Sequence, residues 1–339
     1  MITLDGSRGE GGGQIVRTAV TLSCIIGTPV RIENIRAGRS PAGLRAQHVA
    51  AVQAAASICN AEMDGVEVRS ETITFTPGGA VRAGEYEWSI GTAGSAPLVV
   101  QTVLLPLALA KGESTIRVYG GTHVPFSPSG HYLRDVYVPM LLSLGADVET
   151  YMDSFGWVPE GGGAIVARTG GGAQLKGVML LNRGLIERII GTAVVNNLPS
   201  HIPQRMANRA TNLLETIGAP LDIRPLRARG ASTGAGIFLT VEYNNGRGGF
   251  DALGRKGLPS EAVADQAVTP LLAFHDSGAA VDAHLADQLV LPLALAEGES
   301  AFSTTTCTEH LRTNIEVVRA FLGRPIEIDE AQCIVTFGS

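Results

Sequence analysis

Four groups of residues have the types and spacing to do chemistry. His310 stands between a Ser/Thr/Cys-rich stretch and the start of an apolar-periodic segment. Its imidazole can be a base, a metal ligand or a nucleophile, and the lack of an HxxxH or CxxC pair nearby weighs against the metal. Arg36, Arg39 and Arg45, with Gln47 and His48, form a basic cluster. Guanidinium forks suit phosphate oxygens, and the plain alternative is exposed charge in surface ion pairs. Gly9-Glu10-Gly11-Gly12-Gly13-Gln14, with Arg17 one turn on, reads as backbone N–H groups offered to an anion at a helix start or as a turn that needs positive φ. No GxxxxGK[ST] sequence occurs, so it is not a P-loop. His284-Leu285-Ala286-Asp287-Gln288 opens another helix, where such residues cap it or touch a ligand.

Composition bounds what can carry these groups. The 339 residues hold 42 glycines and 17 aromatics, with 45% hydrophobic residues, which fits a buried aliphatic core and not a disordered chain. The net charge of −6 argues against bulk coating of nucleic acid, yet residues 1–60 carry +3 and the remainder −9. A basic island on an acidic body suits a focused polyanion site. Four scattered cysteines without a CxxC pair, and no secretory signal, predict buried free thiols in a cytoplasmic protein. The apolar run 96–110 is too short to span a bilayer, so no membrane is expected as a partner.

The scaffold shows itself as repeats. Residues 105–114 read LPLALAKGES and 291–300 read LPLALAEGES, nine matches in ten at an offset of 186. Each predicts an apolar helix stopped at Gly112 or Gly298, then a strand. A weaker copy runs from Val16 to Ile26, stops at Gly27 and leads into Pro29-Val-Arg-Ile. After each strand comes a polar loop and a second helix, at 49–58, 136–144 and 315–322. Gln101 of the second copy stands near where Asp287 and Gln288 stand in the third. This spacing predicts three related units, with a foreign α/β segment at about 183–275 splitting the large repeat domain into 1–182 and 276–339. Within the segment, 178–190 reads as a strand running through a turn, 203–217 and 261–274 as helices, and 237–243 as a strand.

Taken together, GEGGGQIVRT at 9–18, RAGRSPAGLRAQH at 36–48, IGTAGS at 90–95, GGT at 120–122, G-x-x-P-x-GGG-x-I at 156–165, HLADQLVLPLALA at 284–296 and HLRTNIEVV at 310–318 resemble the RNA 3′-terminal phosphate cyclase family over nearly the whole chain. The resemblance implies an α/β (α+β) fold of three repeated units, each with two helices on a four-stranded sheet, and a smaller inserted α/β domain. It implies ATP-driven conversion of an RNA 3′-phosphate to a 2′,3′-cyclic phosphodiester. His310 matches the histidine that becomes adenylated, and Glu10 the holder of a divalent cation (Mg²⁺ or Mn²⁺). Arg17, Arg36, Arg39, Gln47 and His48 match positions at the phosphates and the RNA end. Gln101, Pro128 and residues 284–288 match the ATP pocket.

Two positions depart from the family pattern. His284 stands where a Tyr is common and offers less stacking area to a base, and Phe155 stands where Arg or His is usual. Lysine usage agrees with a histidine nucleophile. RNA and DNA ligases carry AMP on a lysine in KxDG, and the three lysines here (Lys111, Lys176, Lys256) all lack that context. Non-catalytic relatives in ribosome biogenesis are the alternative, and they lack the histidine. An enolpyruvyl-transferase-like enzyme would need Lys/Arg clusters on both halves, where this sequence has only the N-terminal one.

Overall fold

The computed structural model describes residues 1–9 and 12–338. The chain starts with β1 (Ile2–Asp5), α1 (Gln14–Ile26), β2 (Val30–Glu33), α2 (Ala46–Cys59), β3 (Glu62–Asp64) and β4 (Ile73–Thr76). Their sheet has the order β1-β2-β4-β3, with β1 and β2 parallel and the other neighbours antiparallel. A helix between the parallel strands is what such a crossover needs. Alternating burial along β2 and β4 turns Val30, Ile32, Ile73 and Phe75 inward. Gly27 ends α1 at φ 74°, a left-handed conformation that costs glycine little.

The same order recurs next in β5 (Glu85–Ser89), α3 (Ala96–Leu109), β6 (Ser114–Gly120), a second helical stretch, β7 (Val148–Ser154) and β8 (Gly163–Thr169). That stretch consists of α4 (Gly130–Tyr132), a π-helical turn Leu133–Tyr137 and α5 (Val138–Ser143). The last copy begins at β9 (Met179–Leu180), leaves the sheet, and resumes with α8 (Ala283–Leu295), β14 (Ser300–Ser303), α9 (Glu309–Leu322), β15 (Ile326–Asp329) and β16 (Ile334–Phe337). In between lie β10 (Ile186–Asn196), α6 (His201–Leu214), β11 (Leu221–Ala228), β12 (Gly234–Tyr243), β13 (Gly246–Leu253) and α7 (Ser260–Ser277). These form their own sheet, β11-β10-β12-β13, under a separate apolar core around Met206, Leu239 and Phe274.

The first helices of the copies meet at the centre. α1 packs on α2, α3 and α9, and α8 packs on α9, within one continuous core. The glycine motif precedes α1, the arginine motif precedes α2, and His310 lies in the first turn of α9.

Three local differences from the sequence reading have physical causes. The stretch 178–190 is two strands in two sheets, because β9 pairs with β14 while β10 pairs with β11 and β12; hydrophobic pattern does not reveal the partner. Helices α3 and α8 end before Gly112 and Gly298, where extended Ala110 and Ala296 turn the chain out one turn after an internal Pro106 or Pro292. Cys24, Cys59 and Cys307 are buried thiols, but Cys333 is only half-buried. Among the described residues no helix is long and apolar enough to cross a membrane.

Phe75 is fully buried in the first unit, whereas Leu185 is 79% exposed. Phe75→Ala should destabilise the protein by about 3–5 kcal/mol, and Leu185→Ala by less than about 0.5 kcal/mol, as read from urea unfolding midpoints.

Candidate active site

His310 lies in the first turn of α9. Thr308 caps that helix, its hydroxyl accepting from the Leu311 N–H at 3.1 Å. The imidazole Nδ1 is 2.5 Å from Oε1 of Gln14, the first residue of α1. One turn further along both helices, Thr18 donates to Asn314 Oδ1 at 2.7 Å. Each pair is four residues beyond the last, so both rungs lie on one face of each helix and α1 and α9 run in parallel register. α8 closes the triangle. Asn314 Nδ2 donates to the Asp287 carbonyl at 2.8 Å, and Gln14 Nε2 donates to the Asp287 carboxylate at 3.3 Å.

The glycine loop is shaped by close approach. A Cβ on Gly13 would run into the His48 ring, and one on Gly9, at φ 58°, into the Thr313 hydroxyl. Gly12 faces the Cε1 edge of His310. At Gly9 and Gly13 a side chain is therefore excluded, by Thr313 of α9 and by His48 of α2. Glu10, expected as a metal holder, lies outside the described residues, as does Gly11. Among the described residues no group of three His, Cys, Asp or Glu side chains could hold a metal ion.

The arginines gather beside this loop. Arg36 adopts φ 54°, rare for a long side chain, and its guanidinium donates to the Pro41 and Gly43 carbonyls at 3.1 and 2.8 Å. Its pKa is lowered, first by burial and then by the like charges of Arg45 and Arg39. Arg17 is lowered to about 10 by burial, against the attraction of Asp287, and stays protonated at neutral pH. Arg31 belongs to the plain class, paired with Glu33 at 2.7 Å in an exposed position.

His48 is different in kind from these cations. Its ring is 4% exposed, and burial, with Arg17, Arg36 and Arg45 nearby, lowers its pKa to about 3. Nδ1 accepts the Arg45 backbone N–H at 3.0 Å, which leaves the proton of the neutral ring on Nε2. His48 thus brings no charge to an anion. It caps the start of α2 and backs the glycine loop.

The remaining expected residues sit at neighbouring helix ends. Gln47 Oε1 accepts from the Ser95 N–H at 2.9 Å, tying the first unit to the N-cap of α3. Gln101 Nε2 donates to Gln288 Oε1 at 2.7 Å, joining α3 to α8. Pro128 precedes Ser129, which caps α4. Leu285 and Ala286 are fully buried, so only their main chain could meet a ligand, while His284 is exposed. Phe155 packs against the rings of His123 and His131 at the border of the inserted sheet.

Sequence reasoning missed two residues. Gln14 had a visible position, at the end of the glycine motif, but no visible partner. Asp282, the N-cap of α8, accepts from the His284 and Leu285 N–H groups, from Tyr132 Oη and from the Gly249 N–H, all at 2.8–3.0 Å. It joins α8, the second unit and β13 through one buried carboxylate, whose pKa burial raises. An Asp before an apolar helix signals a cap; its other partners are distant in sequence.

The arrangement combines a histidine held by a neutral acceptor, guanidinium groups crowded by like charge, and helix N-termini. It suits nucleophilic attack on, and binding of, phosphoryl groups. A family model described as RNA 3′-terminal phosphate cyclase matches residues 8–328. Curated relatives with that name align along the chain. One from Trichormus variabilis is 49% identical, covering 100% of this chain and 99% of its own. One from Methylococcus capsulatus is 46% identical, covering 98% and 94%. One from Archaeoglobus fulgidus is 42% identical, covering 99% and 100%.

The neutral, buried His48 makes stability depend on pH. Its folded pKa lies below the ordinary 6.5, so its contribution is complete above about pH 6.5 and is lost progressively as pH falls toward 3. At pH 5 the loss is about 2 kcal/mol. His48→Gln should lower the slope of unfolding free energy against pH by about one proton between pH 5 and 6. An unchanged slope would mean that His48 is already protonated in the folded state.

Proposed function

The chain belongs to the RNA 3′-terminal phosphate cyclase family and is an enzyme of that kind, and from this we propose that it works through a covalent histidine–AMP intermediate. The observation that carries the reading is His310 Nδ1 against Gln14 Oε1, at the same helix ends as the arginine cluster. In the first step the Nε2 lone pair of neutral His310 attacks the α-phosphorus of ATP. The bond to the bridging oxygen breaks and pyrophosphate leaves. Next, an oxygen of the RNA 3′-phosphate attacks the same phosphorus, the P–N bond breaks, and His310 is regenerated. Finally the vicinal 2′-OH attacks the activated 3′-phosphorus, loses its proton, and AMP departs with the cyclic diester left behind. Adenylation is needed because a terminal phosphate dianion has no good leaving group.

Arg17, Arg36 and Arg39 are the cations we assign to the transferring phosphates and the RNA end. Gln47 and His48 act by holding the second-unit loop and the glycine loop. Gln101, Pro128 and residues 284–288 would border the adenosine, with His284 as the exposed ring for stacking. A divalent cation on Glu10 would offset triphosphate charge when bound. The four unbridged thiols suit a reducing, cytoplasmic setting.

Incubation with α-labelled ATP and a divalent cation should leave label on the denatured protein that is lost in acid, as a phosphoramidate is. His310→Ala should abolish both labelling and cyclisation; full cyclisation by that variant would remove His310 from the nucleophile role. RNA ending in a 2′-deoxy, 3′-phosphate nucleotide should accept AMP and stop there. Cyclic product from it would refute attack by the 2′-OH.

A further inference from the structure

We infer that Gln14 and Asp287 are positioning residues that select the reactive tautomer of His310. The inference rests on the histidine-nucleophile reading above and adds the device that prepares the ring for it. A neutral imidazole has two tautomers, and only the one protonated at Nδ1 carries its lone pair at Nε2. Which tautomer forms is decided by the hydrogen bond the other nitrogen makes.

The direction of that bond is set by chemistry and by connectivity. The Asp287 carboxylate is an acceptor only, so the Gln14 group facing it at 3.3 Å must be the NH₂. The amide then turns its oxygen to His310, at 2.5 Å from Nδ1. An amide oxygen cannot donate, so Nδ1 must carry the proton. The carboxylate fixes the amide, and the amide fixes the ring. The Nε2-protonated tautomer would set two lone pairs against each other in a half-buried site and leave the bond unmade.

The elements around the relay hold its members in place. Gln14 is buried at the first position of α1. Asp287 is held through its main chain by Asn314, whose own amide is oriented by the Thr18 hydroxyl. The Arg17 guanidinium, close enough to Asp287 to feel its charge, favours the ionised carboxylate that the relay needs. Gln14 and Asp287 touch the nucleophile and its orienter and need not meet the reacting phosphorus. Neutrality of the acceptor also matters. A carboxylate against Nδ1 would add a negative charge at that nitrogen, whereas the amide oxygen orients the ring without one.

The test is nitrogen-15 NMR of the ligand-free protein labelled in histidine, with His310 identified by its loss in His310→Ala. Above the ring's pKa, His310 should show a protonated Nδ1 and an unprotonated Nε2. Wild-type His310 protonated at Nε2 would overturn the inference without any variant, and without reference to ATP. In Gln14→Ala the tautomers should mix or invert, and single-turnover adenylation should fall by about 100-fold or more, with ATP affinity changed less than about 3-fold. An unchanged tautomer and rate in that folded variant would also overturn it. If the wild-type tautomer is as stated but no AMP is ever transferred, the fault lies in the nucleophile reading and the positioning device stands.

Discussion

The parallel seating of α1 on α9 is the contact on which the site depends. Those helices come from opposite ends of the chain, and two polar rungs, Gln14–His310 and Thr18–Asn314, set their register. A slip of one residue on either helix would rotate its partner groups by about 100° and part both rungs together. Apolar packing around Ile15, Leu311 and Ile315 supplies most of the burial, but it tolerates sliding far better than directional hydrogen bonds do. The rungs thus place His310 of the last unit beside Gly12 and Gln14 of the first.

Repetition explains why helix ends, rather than one long loop, form the site. Each unit has the order β-α-β-α-β-β, and packing α1 on α2, α3 and α9, with α8 on α9, brings helices of all three units together. Ser95, Asp282 and Thr308 then serve as side-chain caps at α3, α8 and α9. Cross-links between units run through the same region: Gln47 to Ser95, Gln101 to Gln288, Gln14 to Asp287. The inserted sheet is attached at its edge by Asp282 and Tyr132. The site is accordingly a property of the assembled units, and none contains it alone.

Much of this was legible in the residues. The LPLALA repeats marked α3 and α8, the residues after them marked β6 and β14, and the polar loops marked the ends at which His310 and the arginines stand. What stayed hidden was pairing across long separations. β11 and β13 are half-polar strands whose pattern is weak without their neighbours. Gln14 and Asp287 are 273 positions apart, and nothing local in either announces the other. His48 shows the opposite problem: it sits beside the arginines matched to the phosphates, but it is buried and neutral and caps α2. The glycine cluster was ambiguous between an anion cradle and a tight turn, and close approach to His48 and Thr313 gives its smallness a third reason.

The central claim is that His310, and no lysine, carries the nucleotide. The direct measurement is peptide mapping by mass spectrometry after brief incubation with ATP under neutral-to-alkaline digestion. The account predicts one AMP adduct, on the peptide that contains His310 and localised to its imidazole. An adduct on Lys111, Lys176 or Lys256, with His310 unmodified, would contradict it.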